Sequence, residues 1–368
     1  MIASRRGQLH GFIIGSIALV TILVAGCDES EDENDSFLSE GAWVEIGGTL
    51  AECHSVEIRG ARVLIAAGRE GFYSYVIGDE GLVPCGPRNS EWSEAPAGYG
   101  ARSAVSCDEM AYFGVAVWSA LDRSVYYAVV PEAGNPWNFV PVDGPIGSSL
   151  SLTRDCDGRI TSFSTFACAY RSAECLTTWS ATDFCYLFFD LTAIQVQCET
   201  WLFGQSAIFT PFVARVDLGE CTSCPPTSVF PSNIDAQLEE SDGIITGAGQ
   251  LNSQPGPSIW FSINGSTSGL FRWSPGADRI EVVHASEAAG RLVTSPSGSN
   301  ALYLEDSLYT FASTMGSVPA LSLPEIGSAE VLGVDWSTGV VMIGIREAGH
   351  GRVRLYLRLI KRLQEVSE

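Results

Sequence analysis

Short apolar runs separated by turn residues make up most of the chain. Runs rich in Val, Ile, Leu, Phe, Tyr and Trp alternate with clusters of Gly, Pro, Ser and Asp, a pattern typical of short β-strands joined by tight turns. The segment 352–359 alternates strictly and places Val353, Leu355 and Leu357 on one face. No long amphipathic helix pattern interrupts these runs. The pattern therefore predicts an all-β domain over residues 42–368.

A loose repeat organises these strands. Each unit holds a strand, a polar turn with Asp, Ser or Gly, a second strand, and a further turn or strand. The units begin near Ser55, Ser103, Ser149, Leu238, Arg291 and Val331. The wide gap between the third and fourth starts has room for an extra irregular unit around Ile208, and we interpret residues 198–232 as a long insertion on one rim. Repeats of this size are typical of β-propeller blades, because one twisted sheet must stack on its neighbours to bury both faces.

The unit that begins at Arg291 carries the clearest motif. It reads Ser295-Pro-Ser-Gly, then Ala301-Leu-Tyr-Leu, then Leu308-Tyr. This resembles the WD40-like, or TolB-like, repeats of bacterial exported propellers, in which Ser-Pro-Asp-Gly precedes an apolar strand and a Leu-Tyr pair. Ser297 stands where that pattern has Asp. The resemblance implies a six- or seven-bladed β-propeller, which is a statement about fold and not about function.

A closed ring must also join its two chain ends, because otherwise the first and last blades expose long strand edges. The strand pattern at 42–47 lies near the start of the domain, and that at 352–359 lies near its end. We expect both to belong to one blade.

The N-terminus has the features of an export signal. Arg5 and Arg6 precede an apolar run over residues 11–26, which is shorter than the ~20 residues that span a bilayer. The run ends Leu-Val-Ala-Gly-Cys27, and this resembles a bacterial lipobox. The resemblance implies a signal peptide over 1–26 and a lipidated (palmitoylated) Cys27 as the mature N-terminus. An ordinary signal peptide with an accidental cysteine is the alternative.

An acidic linker over residues 27–41 follows this cysteine. Six of the eight residues from Asp28 to Asp35 are acidic, and such a block stays extended and solvated. We expect it to tether the domain to the inner or outer membrane, facing the periplasm or the exterior. Asp28 resembles an inner-membrane retention signal, whereas the acidic cluster resembles a surface-export signal. These two resemblances point to different membranes, so the sequence does not choose between the inner and the outer membrane.

Ten cysteines besides Cys27 lie between positions 53 and 224. In an exported chain this even number predicts up to five disulfides. We expect one pair, Cys168–Cys175, within a hairpin. We expect a second, Cys221–Cys224, as a structural loop disulfide in preference to a redox or zinc site.

Candidate chemistry is sparse in the sequence. We interpret His54, His284 and His350 as residues without a special role, and Asp155 to Gly158 as a turn in preference to a calcium loop. The chain has no Gly-x-Ser-x-Gly, His-Glu-x-x-His or phosphate-binding Gly-Lys motif. The sequence therefore predicts no catalytic residue, no metal ligand and no cofactor.

The net charge of −22 excludes a general nucleic-acid binder, because the chain would repel phosphate. Aromatic residues in Gly- and Pro-rich connections, such as Trp92, Tyr99 and Trp137, suit contacts with a protein or saccharide. We expect a binding or scaffold module with an unidentified protein or saccharide partner. The alternative is a saccharide-active enzyme that uses carboxylates in the central funnel. A charged, deep funnel mouth would favour the enzyme, and a flat aromatic rim would favour the binder.

Overall fold

The computed structural model describes residues 42–60, 62–78, 81–84, 99–106, 113–119, 124–130, 138–142, 149–154, 159–164, 168–172, 179–185, 188–196, 199–206, 211–216, 232–240, 243–253, 256–312, 315–349 and 351–363. Within these ranges the chain is almost entirely β-strand and forms seven antiparallel sheets. Residues 1–41, which include Cys27, and residues 155–158, Cys175, Cys221, Cys224 and His350 lie outside the described residues.

The first strand, β1 (Val44–Leu50), belongs to the last sheet and is described with it below. Sheet I contains β2 (Ser55–Arg59), β3 (Arg62–Ala66), β4 (Phe72–Gly78) and β5 (Gly81–Pro84). Sheet II contains β6 (Tyr99–Ser106), β7 (Phe113–Ser119), β8 (Ser124–Val130) and β9 (Asn138–Val142). Sheet III contains β10 (Ser149–Arg154), β11 (Ile160–Ser164), β12 (Cys168–Ser172) and β13 (Trp179–Cys185).

Sheet IV has three described strands, β14 (Phe188–Val196), β15 (Glu199–Ser206) and β16 (Pro211–Val216), and is followed by the helix α1 (Ser232–Glu240). Sheet V contains β17 (Ile244–Ser253), β18 (Gly256–Asn264), β19 (Ser268–Trp273) and β20 (Glu281–Ser286). Sheet VI contains β21 (Arg291–Thr294), β22 (Asn300–Leu304), β23 (Ser307–Ala312) and β24 (Met315–Ser322). Sheet VII contains β25 (Gly327–Asp335), β26 (Val340–Glu347), β27 (Val353–Leu359) and β1, and a 3-10 turn (Lys361–Leu363) follows it.

The sheets form a closed β-propeller ring. In every sheet the strand at the inner edge packs against the inner strand of the next sheet, in the order β2, β6, β10, β14, β17, β21, β25 and back to β2. The hydrophobic core accordingly lies between neighbouring sheets. One cluster joins sheets VII and I, another joins IV and V, and two more join V to VI and VI to VII. The predicted all-β propeller is therefore confirmed.

Middle strands are buried on both faces because a sheet lies on either side of them. In β3, Val63, Leu64 and Ile65 are all fully buried, and in β26 the same holds for Val341 and Met342. This explains why these strands read as continuous apolar runs, whereas β2 alternates between buried and half-buried positions. The position of a strand within its sheet thus decides which pattern its sequence shows.

The chain ends meet in sheet VII, as we expect from the need to cover strand edges. Antiparallel pairing of β1 with β27 sets Val44 opposite Leu357 and Leu50 opposite Val353. The N-terminal strand therefore completes the sheet that the C-terminal strands build, and this prediction is confirmed. Arg354 of β27 lies within ion-pair distance of Glu45, Glu325 and Glu347.

The helix α1 corrects the sequence analysis, which expected a strand unit from about Leu238. The long insertion expected over 198–232 is likewise wrong in its first part, where β15 and β16 belong to sheet IV. Ile234 and Leu238, one helical turn apart, are buried against Trp201, Phe203 and Ile245. The helix thus packs into the core between sheets IV and V. No helix among the described residues has the length and apolar character needed to cross a bilayer.

Candidate functional site

A cavity of about 620 Å³ lies on the axis of the ring, and we call it the axial cavity. Residues from all seven sheets line it, because the inner strands converge there. Besides Cys53, its ionisable lining consists of Glu52, His54, Arg102, Arg291, Glu330 and Arg346. Apart from Glu52 and His54, these residues are far apart in the sequence, and closure of the ring brings them together.

The axial cavity carries a charge opposite to that of the whole chain. Three arginines face two glutamates in the lining, although the chain as a whole has a net charge of −22. Partial enclosure lowers the local dielectric constant, so these charges act more strongly on a bound group than surface charges do. The cavity therefore suits an anionic group.

One arginine and one glutamate neutralise each other within the lining. Nε of Arg346 donates to Oε1 of Glu330 at 2.8 Å, and Nη2 donates to Oε2 at 3.3 Å. Arg346 also donates to the backbone carbonyls of Gly351 and Ala51. Burial alone would raise the pKa of Glu330, but the hydrogen bonds and positive charge of Arg346 outweigh it and hold the pKa below its ordinary value. Glu330 is consequently ionised at neutral pH and has no proton to donate as a general acid.

A second group of polar residues forms a chain along the wall. Arg102 Nη1 lies 3.3 Å from Nδ1 of His54, and Nε2 of His54 lies 3.3 Å from Oε2 of Glu52. Because arginine can only donate, Nδ1 accepts, and the ring proton is on Nε2, where it can be donated to Glu52. Burial, followed by the positive charge of Arg102, lowers the pKa of His54 and favours this neutral form.

The thiol of Cys53 also faces the axial cavity but is chemically inert. Burial, with a smaller contribution from Glu330, raises its pKa to about 12. The thiolate required for nucleophilic attack is therefore absent at neutral pH. Cys53 is free, so the nine cysteines that remain besides Cys27 allow at most four disulfides. The expectation of up to five is too high by one.

Arg291 is the arginine of the axial cavity whose positive charge is least neutralised by neighbouring groups. It begins β21, is half-buried, and lines the axial cavity. Among the described residues it makes no hydrogen bond or ion pair, and it acts on Cys53 and Glu330 only through its charge. A half-buried guanidinium with five donors gains most from a carboxylate or phosphate ligand. Arg291 is thus the residue of the lining best placed to bind an anion.

Of the residues that the sequence analysis singled out and that the structure describes, His54 lies in the axial cavity, whereas Cys168 and His284 lie outside it. Cys168 begins β12, and the backbone register sets it opposite Cys185 of β13. The pairs Cys168–Cys175 and Cys221–Cys224 stay predictions, because three of these four cysteines lie outside the described residues. His54, interpreted from the sequence as having no role, instead lies in the polar chain of the axial cavity. Sequence reasoning missed the three arginines, because no local motif marks them.

The architecture and site define a β-propeller with a charged axial cavity. No protein-family model matches the chain, and no curated protein matches it in sequence. Among solved structures, a chain of the mitotic checkpoint complex is similar, with a TM-score of 0.54 and 8% identity over 97% of this chain and 100% of that one. The structure described as YCF48 bound to D1 peptide is similar with a TM-score of 0.55 and 12% identity, over 89% of this chain and 100% of that one. At such low identity, the likeness establishes the propeller fold alone.

Proposed function

We propose that this protein is a binding module that holds an acidic segment of a partner protein at the axial cavity. The observation that carries the proposal is Arg291, a half-buried cation in the cavity wall without an ion-pair partner among the described residues. Arg102 also lines the axial cavity, where its guanidinium lies against the neutral His54. Two arginines are therefore available for carboxylates, and the fold is one that also occurs in a structure described as bound to a peptide.

Protein is the better-supported partner class. A saccharide site usually stacks sugar rings on aromatic side chains, and the described lining contains one aromatic residue, Phe203. The alternative of a saccharide-active enzyme needs a carboxylic acid that keeps its proton. Glu330 is held ionised by Arg346, which gives that alternative less support.

We also propose that each of the seven sheets is one blade of a seven-bladed ring over residues 42–368.

We further propose a lipid anchor at the N-terminus. Lipid on Cys27, after removal of residues 1–26, would hold the ring outside the inner or outer membrane through the linker 27–41. Acyl chains supply membrane affinity, whereas the acidic linker is repelled by anionic lipid. Replacing Cys27 by Ser should move the protein from the membrane to the soluble fraction. Retention of the Cys27→Ser protein in the membrane would mean that residues 11–26 are an uncleaved anchor.

The partner proposal is tested with the full-length protein in two experiments. In intact cells, crosslinking followed by pull-down should recover a partner with wild type and with Arg215→Ala, but not with Arg291→Ala. Arg215 is a matched control because it is an exposed arginine paired with Glu199, outside the axial cavity.

In solution, a tetraglutamate peptide should bind wild type at least ~10-fold more tightly than the Arg291→Ala variant, since one charged contact is worth this much. A tetraglutamine peptide should not discriminate between them. Equal binding of tetraglutamate by both proteins would refute the proposal.

A further inference from the structure

A histidine and two acidic side chains converge between sheets V and VI. His284 lies on β20, the outer strand of sheet V. Glu305 and Asp306 are the two residues of the turn that joins β22 to β23 in sheet VI. One ligand atom from each of the three residues lies within 4.8 Å of the others.

The backbone of sheet V is shaped to bring His284 to this position. The pairing of β19 with β20 is irregular between Leu270 and Phe271, at the point where Leu270 lies opposite His284. Such a bulge redirects the side chain beside it. Gly269 has a φ of +135°, and a side chain there would collide with the carbonyl of His284. The close approach of these strands at His284 therefore requires glycine at position 269.

The contact between His284 and Glu305 is not a hydrogen bond. Nε2 of His284 lies 3.0 Å from Oε2 of Glu305, but no donor is aligned for a hydrogen bond to this buried oxygen, and the hydroxyl of Tyr303 is a further neighbour of the Glu305 carboxylate. Two protein ligands of one ion, each about 2.1 Å from it, lie about 3.0 Å apart at right angles and about 3.4 Å apart in the tetrahedral geometry of zinc. The distance between Nε2 of His284 and Oε2 of Glu305, and the absence of an aligned hydrogen bond between them, are what we expect of two atoms that both point at one metal ion.

Neighbouring residues hold the carboxylates in place. The hydroxyl of Ser286 contacts the second oxygen, Oε1, of Glu305, and the hydroxyl of Tyr309 donates to Oδ1 of Asp306 at 3.0 Å. The ring of Tyr309 lies 4.6 Å from that of His284, centroid to centroid. Metal ligands in proteins are usually oriented by such outer contacts.

We propose that His284, Glu305 and Asp306 bind one divalent first-row transition-metal ion, of which Zn²⁺ is the reference. An imidazole with two carboxylates favours such ions over Mg²⁺ and Ca²⁺, which prefer oxygen ligands alone. A groove of about 670 Å³ that Glu305 and Asp306 help to line gives the ion a path to the site and space for a water ligand. The ion joins sheet V to sheet VI, so it ties two neighbouring sheets together at the outer part of the ring.

The test is metal titration of the full-length protein after treatment with a chelator. Calorimetry with ZnCl₂ should give one saturable site that the His284→Gln and Glu305→Gln variants lose or weaken at least ~10-fold. The matched control is Glu281→Gln, which removes a carboxylate from the same strand as His284 but outside the cluster, where it pairs with Arg272. This control should bind Zn²⁺ like wild type.

Thermal unfolding gives a second readout that separates binding from misfolding. Zn²⁺ should raise the Tm of wild type and Glu281→Gln, but not that of His284→Gln, while all three proteins melt alike in chelator. An equal Zn²⁺ response in His284→Gln, or no Zn²⁺ binding by wild type, would overturn the site. A response to Ca²⁺ without a response to Zn²⁺ would overturn the metal class.

Discussion

The backbone N–H of Gly60 donates a 2.6 Å hydrogen bond to Oδ2 of Asp335. Gly60 forms the turn between β2 and β3 in sheet I, and Asp335 ends β25 in sheet VII. The other carboxylate oxygen, Oδ1, accepts from the backbone N–H and the hydroxyl of Ser337 at 2.9 and 2.6 Å. Asp335 is buried, with 7% of its surface exposed. One side chain therefore fixes a turn in its own sheet and ties that sheet to the next.

Replacing Asp335 by Ala should lower the free energy of unfolding by about 1–3 kcal/mol, since it takes away the charged acceptor of the part-buried hydrogen bonds from the N–H groups of Gly60 and Ser337. Urea unfolding followed by tryptophan fluorescence measures this loss. Asp335→Asn should lose less, because its amide oxygen still accepts. If the Ala variant unfolds at the wild-type urea concentration, the bond between the two sheets contributes nothing.

Ring closure through β1 and β27 predicts an asymmetric response to deletion. Removing residues 352–368 exposes the edges of β1 and β26, and the truncated protein should unfold at lower temperature and aggregate. Deleting Asp28 to Asp35 is the control and should leave the Tm unchanged, since those residues precede the first described strand. A C-terminal truncation that melts like the full-length protein would contradict the closed ring.

Mild acid should destabilise the protein partly through His54. Its folded pKa lies below the ordinary value of 6.5 because of burial and Arg102, so between the two pKa values the unfolded state binds more protons. The contribution of neutral His54 to the free energy of unfolding is therefore complete above about pH 6.5. It declines as the pH falls below that value and through the pKa of His54 in the folded state. The His54→Gln variant should show a smaller loss of unfolding free energy between pH 7 and pH 5 in urea titrations. Parallel curves for the two proteins would assign the acid sensitivity to other groups.

The backbone register offers Cys168 a partner other than the one that the sequence predicts. Cys168 and Cys185 are opposed in β12 and β13, and opposed strand residues have Cα atoms about 4.5–5.5 Å apart, within the range of a disulfide. Peptide mapping of the protein without reductant, after isolation from its own cells, should therefore join Cys168 to Cys185. A link from Cys168 to Cys175 would instead bear out the hairpin disulfide predicted from the sequence.

Local patterns carried enough information to predict the strands and their grouping. The starts expected at Ser55, Ser149 and Arg291 are also the first residues of β2, β10 and β21, because turn residues and apolar runs are properties of neighbouring positions. The extra unit expected in the gap after sheet III corresponds to sheet IV, although its strands lie over 188–216. The helix α1 escaped prediction since its two buried residues, Ile234 and Leu238, are too few to mark a helical period.

The axial cavity and the cluster around His284 could not be predicted in this way. Arg102, Arg291 and Arg346 come from three different sheets, and each looks like an ordinary surface arginine in its own strand. Whether these arginines come together depends on the number of sheets in the ring and on the rotation that relates one sheet to the next. The strand patterns of the sequence encode neither quantity. The same holds for His284 and Glu305, which meet across the boundary between two sheets.

The pairing of β1 with β27 also governs when the ring can form. Synthesis delivers the chain from its N-terminus, so β1 emerges well before its hydrogen-bonding partner β27. Until residues 353–359 arrive, β1 has an unsatisfied edge and sheet VII is incomplete. Contacts between the ends of a chain are slow to form. The ring of the nascent protein therefore stays open until β27 is made, and a chaperone that covers strand edges would act on it during this interval.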